Sequence, residues 1–256
     1  MTTRGERVDG LVRLALTGTA VVVLLFVLSR LIPKGSSLEE LQRYLHMGRE
    51  GNLPTWWTAG LLLGIALFAA LSAWGEPKGV ARSWTAVAVT AALLSLDEAT
   101  RLHERMDRIT AGLGISVPTY AWVLPGVVVL ALVAATLFLV ARSLPRQVTR
   151  GLLIAAGVFF LGALGVESLY GATARDAASV IQVSLVLLEE TLEAVGATIA
   201  FCVVSHHVIG RLRVPAGAAA PRVRLPGPDA TASTAATAPT ADPAPATRAS
   251  RVSRAS

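Results

Sequence analysis

The chain reads as an all-α integral membrane protein, a six-transmembrane-helix bundle with both termini inside and a short interfacial helix on its outer face. Three observations predict this class. Of 256 residues, 53% are apolar and 16% charged, with mean hydropathy +0.59, which is too apolar for one water-soluble domain of this size. The apolar residues gather into six runs, each near the ~20 residues that cross a ~30 Å hydrocarbon core at ~1.5 Å rise per residue. The 23 Lys and Arg against 17 acids leave a net charge of +6, and the basic residues sit at the ends of those runs. That placement reads as membrane topology and not as the footprint of a nucleic-acid partner.

The runs span 11–32, 55–74, 84 to about 106, 120–141, 151–170 and 178–209. The first is longer than a secretory signal, and Ser29-Arg30-Leu31-Ile32-Pro33 offers no small-x-small cleavage site, so it is expected to stay as a helix. After it, Ser37-Leu38-Glu39-Glu40 has the spacing of a capping box, and Leu38, Leu41, Tyr44 and Leu45 recur at helical intervals. This predicts the short outer helix, lying on the membrane surface or over the bundle mouth. In the fourth run Pro125-Gly126 could kink the helix. Past 210 the chain is Ala, Pro, Thr and Ser with scattered Arg and holds seven of the 13 prolines, a composition that buries no core. The expected organisation is a cytoplasmic N-terminus over 1–10, a membrane domain over 11–210 and a disordered basic tail over 211–256.

Counting Lys and Arg on the two sides of the spans gives 15 against 8, or 10 against 8 when only Arg211 and Arg213 of the tail are kept, and places both termini in the cytoplasm of a cell-membrane protein. Trp56, Trp57, Tyr120 and Trp122 then fall at outer helix ends and Trp74 and Trp84 at inner ones. Cys202 is the only cysteine, which excludes an internal disulfide and any Cys-based zinc site.

Seven of the 17 acids, Asp97, Glu98, Glu104, Glu167, Glu189, Glu190 and Glu193, lie within or at the end of the runs. An ionised carboxylate at the bilayer centre costs at least ~2.5 kcal/mol, so such groups face a bundle interior, a partner or water. Counted from the inner helix ends, Asp97, Glu167 and Glu193 all come out roughly 20 Å deep, at one level on three helices. At 100° per residue Gln182, Glu189, Glu193, Gly196 and His207 share a stripe of about 60° on the sixth helix. Asp97, Thr100, Arg101 and Glu104 share a face of the third, flanked by Glu98 and His103. If the faces meet, the carboxylates need protons, a cation or water to compensate them, with Arg101 and Tyr170 in support. A competing reading has the third helix leaving the membrane near Asp97, with Asp97–Arg101 and Glu104–Arg108 as solvated local pairs.

Four stretches taken together resemble a family of bacterial multi-pass membrane proteins. They are Asn52-Leu53-Pro54-Thr55-Trp56-Trp57; Ser95-Leu96-Asp97-Glu98 followed by His103-Glu104; Gly162-Ala163-Leu164-Gly165-Val166-Glu167; and Glu189-Glu190 with Glu193 and Gly196. The resemblance covers roughly 52–205 and implies a six-helix membrane fold. That family is uncharacterised, so the resemblance brings no activity, substrate or cofactor.

Function must therefore come from the residues. Asp97, Glu98, Glu104, Glu167, Glu189, Glu190 and Glu193 with His103 supply the oxygen and nitrogen donors of a divalent metal site for Fe, Mn or Zn, like the sites helix bundles build. The strict Glu-x-x-His of such bundles is lacking, since Glu98 and His103 stand five apart. A metal there could activate water or oxygen for chemistry on a lipid or quinone, as a metal-dependent membrane enzyme would. A second hypothesis is a proton- or cation-coupled transporter or channel with Glu193 as its deepest switch. A third is a scaffold whose acids pair with a partner's basic residues and which catalyses nothing. No P-loop, dinucleotide fingerprint or heme-attachment motif occurs, and Ser95 and Ser168 have no neighbouring His. Every one of these readings requires Asp97, Glu167 and Glu193 to face one another.

Overall fold

The computed structural model describes residues 4–33, 35–47, 51–112, 119–173 and 179–211; the expected tail and the side chains of residues 4–9, Glu104, Asp107, Ala111 and Ser179 lie outside the described residues. All regular structure among them is helical. In chain order the helices are α1 (Arg4–Ser29), α2 (Glu39–Tyr44), α3 (Leu53–Ala73), α4 (Lys78–Thr100), α5 (Leu102–Gly112), α6 (Val123–Val140), α7 (Arg146–Phe160), α8 (Glu167–Thr173) and α9 (Ser179–Arg211). A π-helical segment, Leu161–Val166, joins α7 to α8 without a break. Six segments are long and apolar enough to cross a membrane: Gly10–Ser29, Leu53–Ala73, Lys78–Thr100, Val123–Val140, Arg146–Thr173 and Val180–Arg211.

These helices pack as an up-and-down bundle in which α3 lies along α4 and α9, α7 along α9, and α1 against α9. The core is built from Leu62, Ile65, Ala69, Trp84, Ala91, Ala197 and Val204, with Val133, Leu137 and Val140 bringing α6 onto it. Leu63, Leu67, Leu71, Leu93, Leu132 and Phe138 are exposed on the outside, the apolar exterior that a lipid solvent requires. Trp56 and Trp74 are exposed at opposite ends of α3, where the aromatic belts of a bilayer would lie.

Polar side chains bind the bundle at both ends and along α1. At one end His207 stacks on fully buried Trp84 at 5.1 Å, Ser83 bonds Ser143 at 2.5 Å, and Glu76 pairs with Arg211. Along α1 the Thr19 hydroxyl meets that of Thr198 at 2.6 Å and accepts from Trp57 Nε1 at 2.9 Å. Gly18 lets the Trp57 ring lie directly against the α1 backbone. At the other end Gln42 Nε2 donates to the Ser29 carbonyl at 3.2 Å. There Asn52 caps α3, its Oδ1 accepting from Thr55 N–H at 3.0 Å while its Nδ2 donates to the His46 carbonyl.

Three expectations need correction. Helix α2 does form, but Leu38 is its N-cap residue and no side chain caps it, so the Ser37–Glu40 capping box is not made. Pro125 is the third residue of α6, where its missing N–H would be unpaired in any case, and α6 runs unbroken. The third run does not continue as one helix to 106. It stops at Thr100, Arg101 takes left-handed backbone angles (φ 60, ψ 44), and α5 starts afresh. The shared face computed for Asp97, Arg101 and Glu104 on one straight helix therefore does not exist.

Candidate functional site

The break at Arg101 shapes one wall of the site. A non-glycine residue in the left-handed region costs on the order of 1 kcal/mol, so something must hold it. Asp97 does: its Oδ1 accepts from the His103 backbone N–H at 2.9 Å, and its Oδ2 lies 3.1 Å from His103 Nδ1. One carboxylate thus caps the first turn of α5 and fixes the imidazole plane. The His103 ring rests on Trp122 at 5.1 Å between centroids, and Trp122 Nε1 donates to Glu167 Oε1 at 2.9 Å. Asp97, His103, Trp122 and Glu167 form a continuous chain from the end of α4 to the start of α8.

The opposite wall comes from close packing of the π segment on α9. A Cβ at Gly162 would lie 2.7 Å from the Glu189 carbonyl oxygen and 3.1 Å from Glu193 Cγ, so only glycine permits this approach. Three residues past Glu193, Gly196 does the same against α7, where a Cβ would lie 2.7 Å from Phe159 N. The wide turn of a π segment shifts the phase of the helix after it, and such turns are frequent at functional sites. Here Glu167 follows it directly and lines the same cavity as the α9 glutamates. Glu193 and Glu189 share this cavity with Glu98, Glu167, Glu190 and His103.

Between these walls is a cavity of about 210 Å³ lined by Asp97, Glu98, His103, Glu167, Glu189, Glu190 and Glu193, with Thr55, Leu94, Met106, Trp122, Phe159 and Phe160 among its other walls. No Lys or Arg among the described residues lines it. An adjoining chamber of about 80 Å³ shares Leu94, Phe159 and Phe160 with it and is otherwise walled by residues such as Ala91, Val133, Leu152, Ala156 and Ala197.

The residues singled out from the sequence are distributed as follows. Seven of them line the cavity. The Glu104 side chain lies outside the described residues. Arg101 is exposed at the helix break, and Tyr170 stacks on Tyr120 at 6.3 Å. From Glu189 onward the α9 stripe faces the bundle interior, with Glu189 and Glu193 at the cavity, Gly196 at the chamber and His207 on Trp84. Among the described residues no three His, Cys, Asp or Glu side chains stand in a metal-holding arrangement. Sequence reasoning missed Trp122 as a site residue. Its position before an apolar run marked it as an interfacial anchor, and nothing local points to a carboxylate 45 residues away.

Fold and cavity together define a class: an all-helical protein with six segments suited to crossing a membrane and an acid-lined cavity at one end of the bundle. Within that class, residues 13–208 match the family described as Domain of unknown function (DUF8692), and the chain belongs to that family. No curated protein and no solved structure matches it.

Proposed function

We propose that this is a multi-pass cell-membrane protein, with both termini cytoplasmic, whose acidic cavity lies in the outer half of the bundle and binds a divalent metal ion, Fe, Mn or Zn. The observation that carries this is the Asp97–His103 pair set opposite Glu189, Glu190 and Glu193. A carboxylate on one ring nitrogen is how proteins orient an imidazole that ligates metal through the other. One nitrogen with several carboxylate oxygens suits these metals. Glu189 and Glu193 beside a cavity that no Lys or Arg among the described residues lines also call for positive charge from a guest. Binding would draw the carboxylates inward from their present spread by side-chain rotation. The lining beyond the acids offers no charged group to relay a cation inward, which ranks transport second.

Elemental analysis of protein purified without chelator tests this. The expected content is about one metal per chain, reduced at least roughly tenfold by Glu190→Ala, the usual scale for losing a ligand or its support. Wild-type protein that carries no metal, and takes none up from added Mn²⁺, Fe²⁺ or Zn²⁺, would remove the reading.

A further inference from the structure

The cavity is bipartite, and a bare metal ion leaves its lower part unexplained. Leu94, Phe159 and Phe160 line both compartments, so the acidic cavity and the apolar chamber adjoin at these three side chains. The chamber presents an apolar wall throughout, its space left by small side chains such as Ala156. Inside a bilayer, such a space suits part of a lipid-soluble molecule better than water. At the upper edge Glu193 is half-buried and lines the acidic cavity.

We infer that the two compartments form one site for an amphiphile taken from the bilayer, with a cationic head, an amine or quaternary ammonium, at Glu189 and Glu193 and an apolar body in the chamber. This rests on the reading of the acidic cavity as a seat for positive charge, and assigns that seat a lipid-soluble partner. Charge complementarity selects the head: an anionic lipid would be repelled by Glu189 and Glu193, in a cavity that no Lys or Arg among the described residues lines. The size of the chamber, about 80 Å³, admits a short alkyl stretch or one ring and excludes a whole phospholipid tail pair.

The test uses the full chain in lipid nanodiscs with a long-chain fatty amine carrying a mid-chain diazirine, and the fatty acid of the same tail as its counterpart. After illumination, labelled residues are mapped by mass spectrometry and metal content is measured in the same samples. The inference expects amine labelling on chamber residues Leu152 and Ala156, on the order of tenfold above the acid, a ratio typical of one favourable charge contact. Glu193→Gln should erase that preference, and Ala156→Phe should abolish chamber labelling while metal content stays at the wild-type level. Labelling confined to the outward-facing Leu132, Leu153 and Ile154, or equal for amine and acid, overturns the inference. Metal bound without chamber labelling would leave the metal proposal standing alone; chamber labelling by the amine in metal-free protein would do the reverse.

Discussion

Asp97 shows how one side chain can serve fold and site together. It meets the cost of the left-handed turn at Arg101 by accepting from the His103 N–H, and the same carboxylate orients the His103 ring. Asp97→Asn preserves one acceptor but supplies an amide where the ring expects a carboxylate. Metal affinity, read by Mn²⁺ titration, should fall roughly 10–100-fold, the range seen when the group behind a ligating histidine is changed; unchanged affinity would place His103 outside the metal shell. Trp122→Phe keeps the ring under His103 but removes the Nε1 donor to Glu167. It should cost about 0.5–1.5 kcal/mol in an SDS unfolding titration, the net contribution of one hydrogen bond. Neither contact was legible in the sequence. Asp97 and His103 are six residues apart, a spacing that a continuous helix would send to different sides, and only the break brings them together.

Among the elements, α9 and the π segment were the most and least transparent parts of the chain. The polar stripe on α9 followed directly from 100° periodicity, because α9 is one uninterrupted helix over 33 residues. The α4 face failed for the opposite reason, since periodic reasoning cannot foresee a left-handed residue that lacks a glycine or proline signal. Nothing in the Gly162-Ala163-Leu164-Gly165 stretch marks a π turn, and the structure gives its glycines different surroundings. Gly162→Leu should separate the π segment from α9, lowering stability by about 1–3 kcal/mol as overpacking does and abolishing metal binding. Gly157→Ala, one turn earlier on α7 with open space around it, should be neutral or stabilising by up to ~1 kcal/mol. Equal loss in both variants would show that close approach at Gly162 is not what holds the wall together.

At the scale of the whole molecule, composition and run length indicated the six long helices, because crossing a bilayer constrains length and apolarity more tightly than any packing detail. Sidedness rests on the basic residues alone. It predicts that, in a Cys202→Ser background, Gly51→Cys reacts with a membrane-impermeant maleimide on intact cells while Arg142→Cys reacts only after permeabilisation; the reverse pattern would invert the bundle. On that orientation the end of the bundle that holds the acidic cavity and the α5 residues Leu102, His103 and Met106 would face outward. The most direct measurement is pulsed electron paramagnetic resonance on the Mn²⁺-loaded protein in nanodiscs. Metal seated between His103 and the α9 glutamates predicts a nitrogen-14 coupling from one imidazole, absent in His103→Ala and weakened together with Mn²⁺ affinity in Glu193→Gln. A spectrum of fully hydrated Mn²⁺, indifferent to both substitutions, would contradict it.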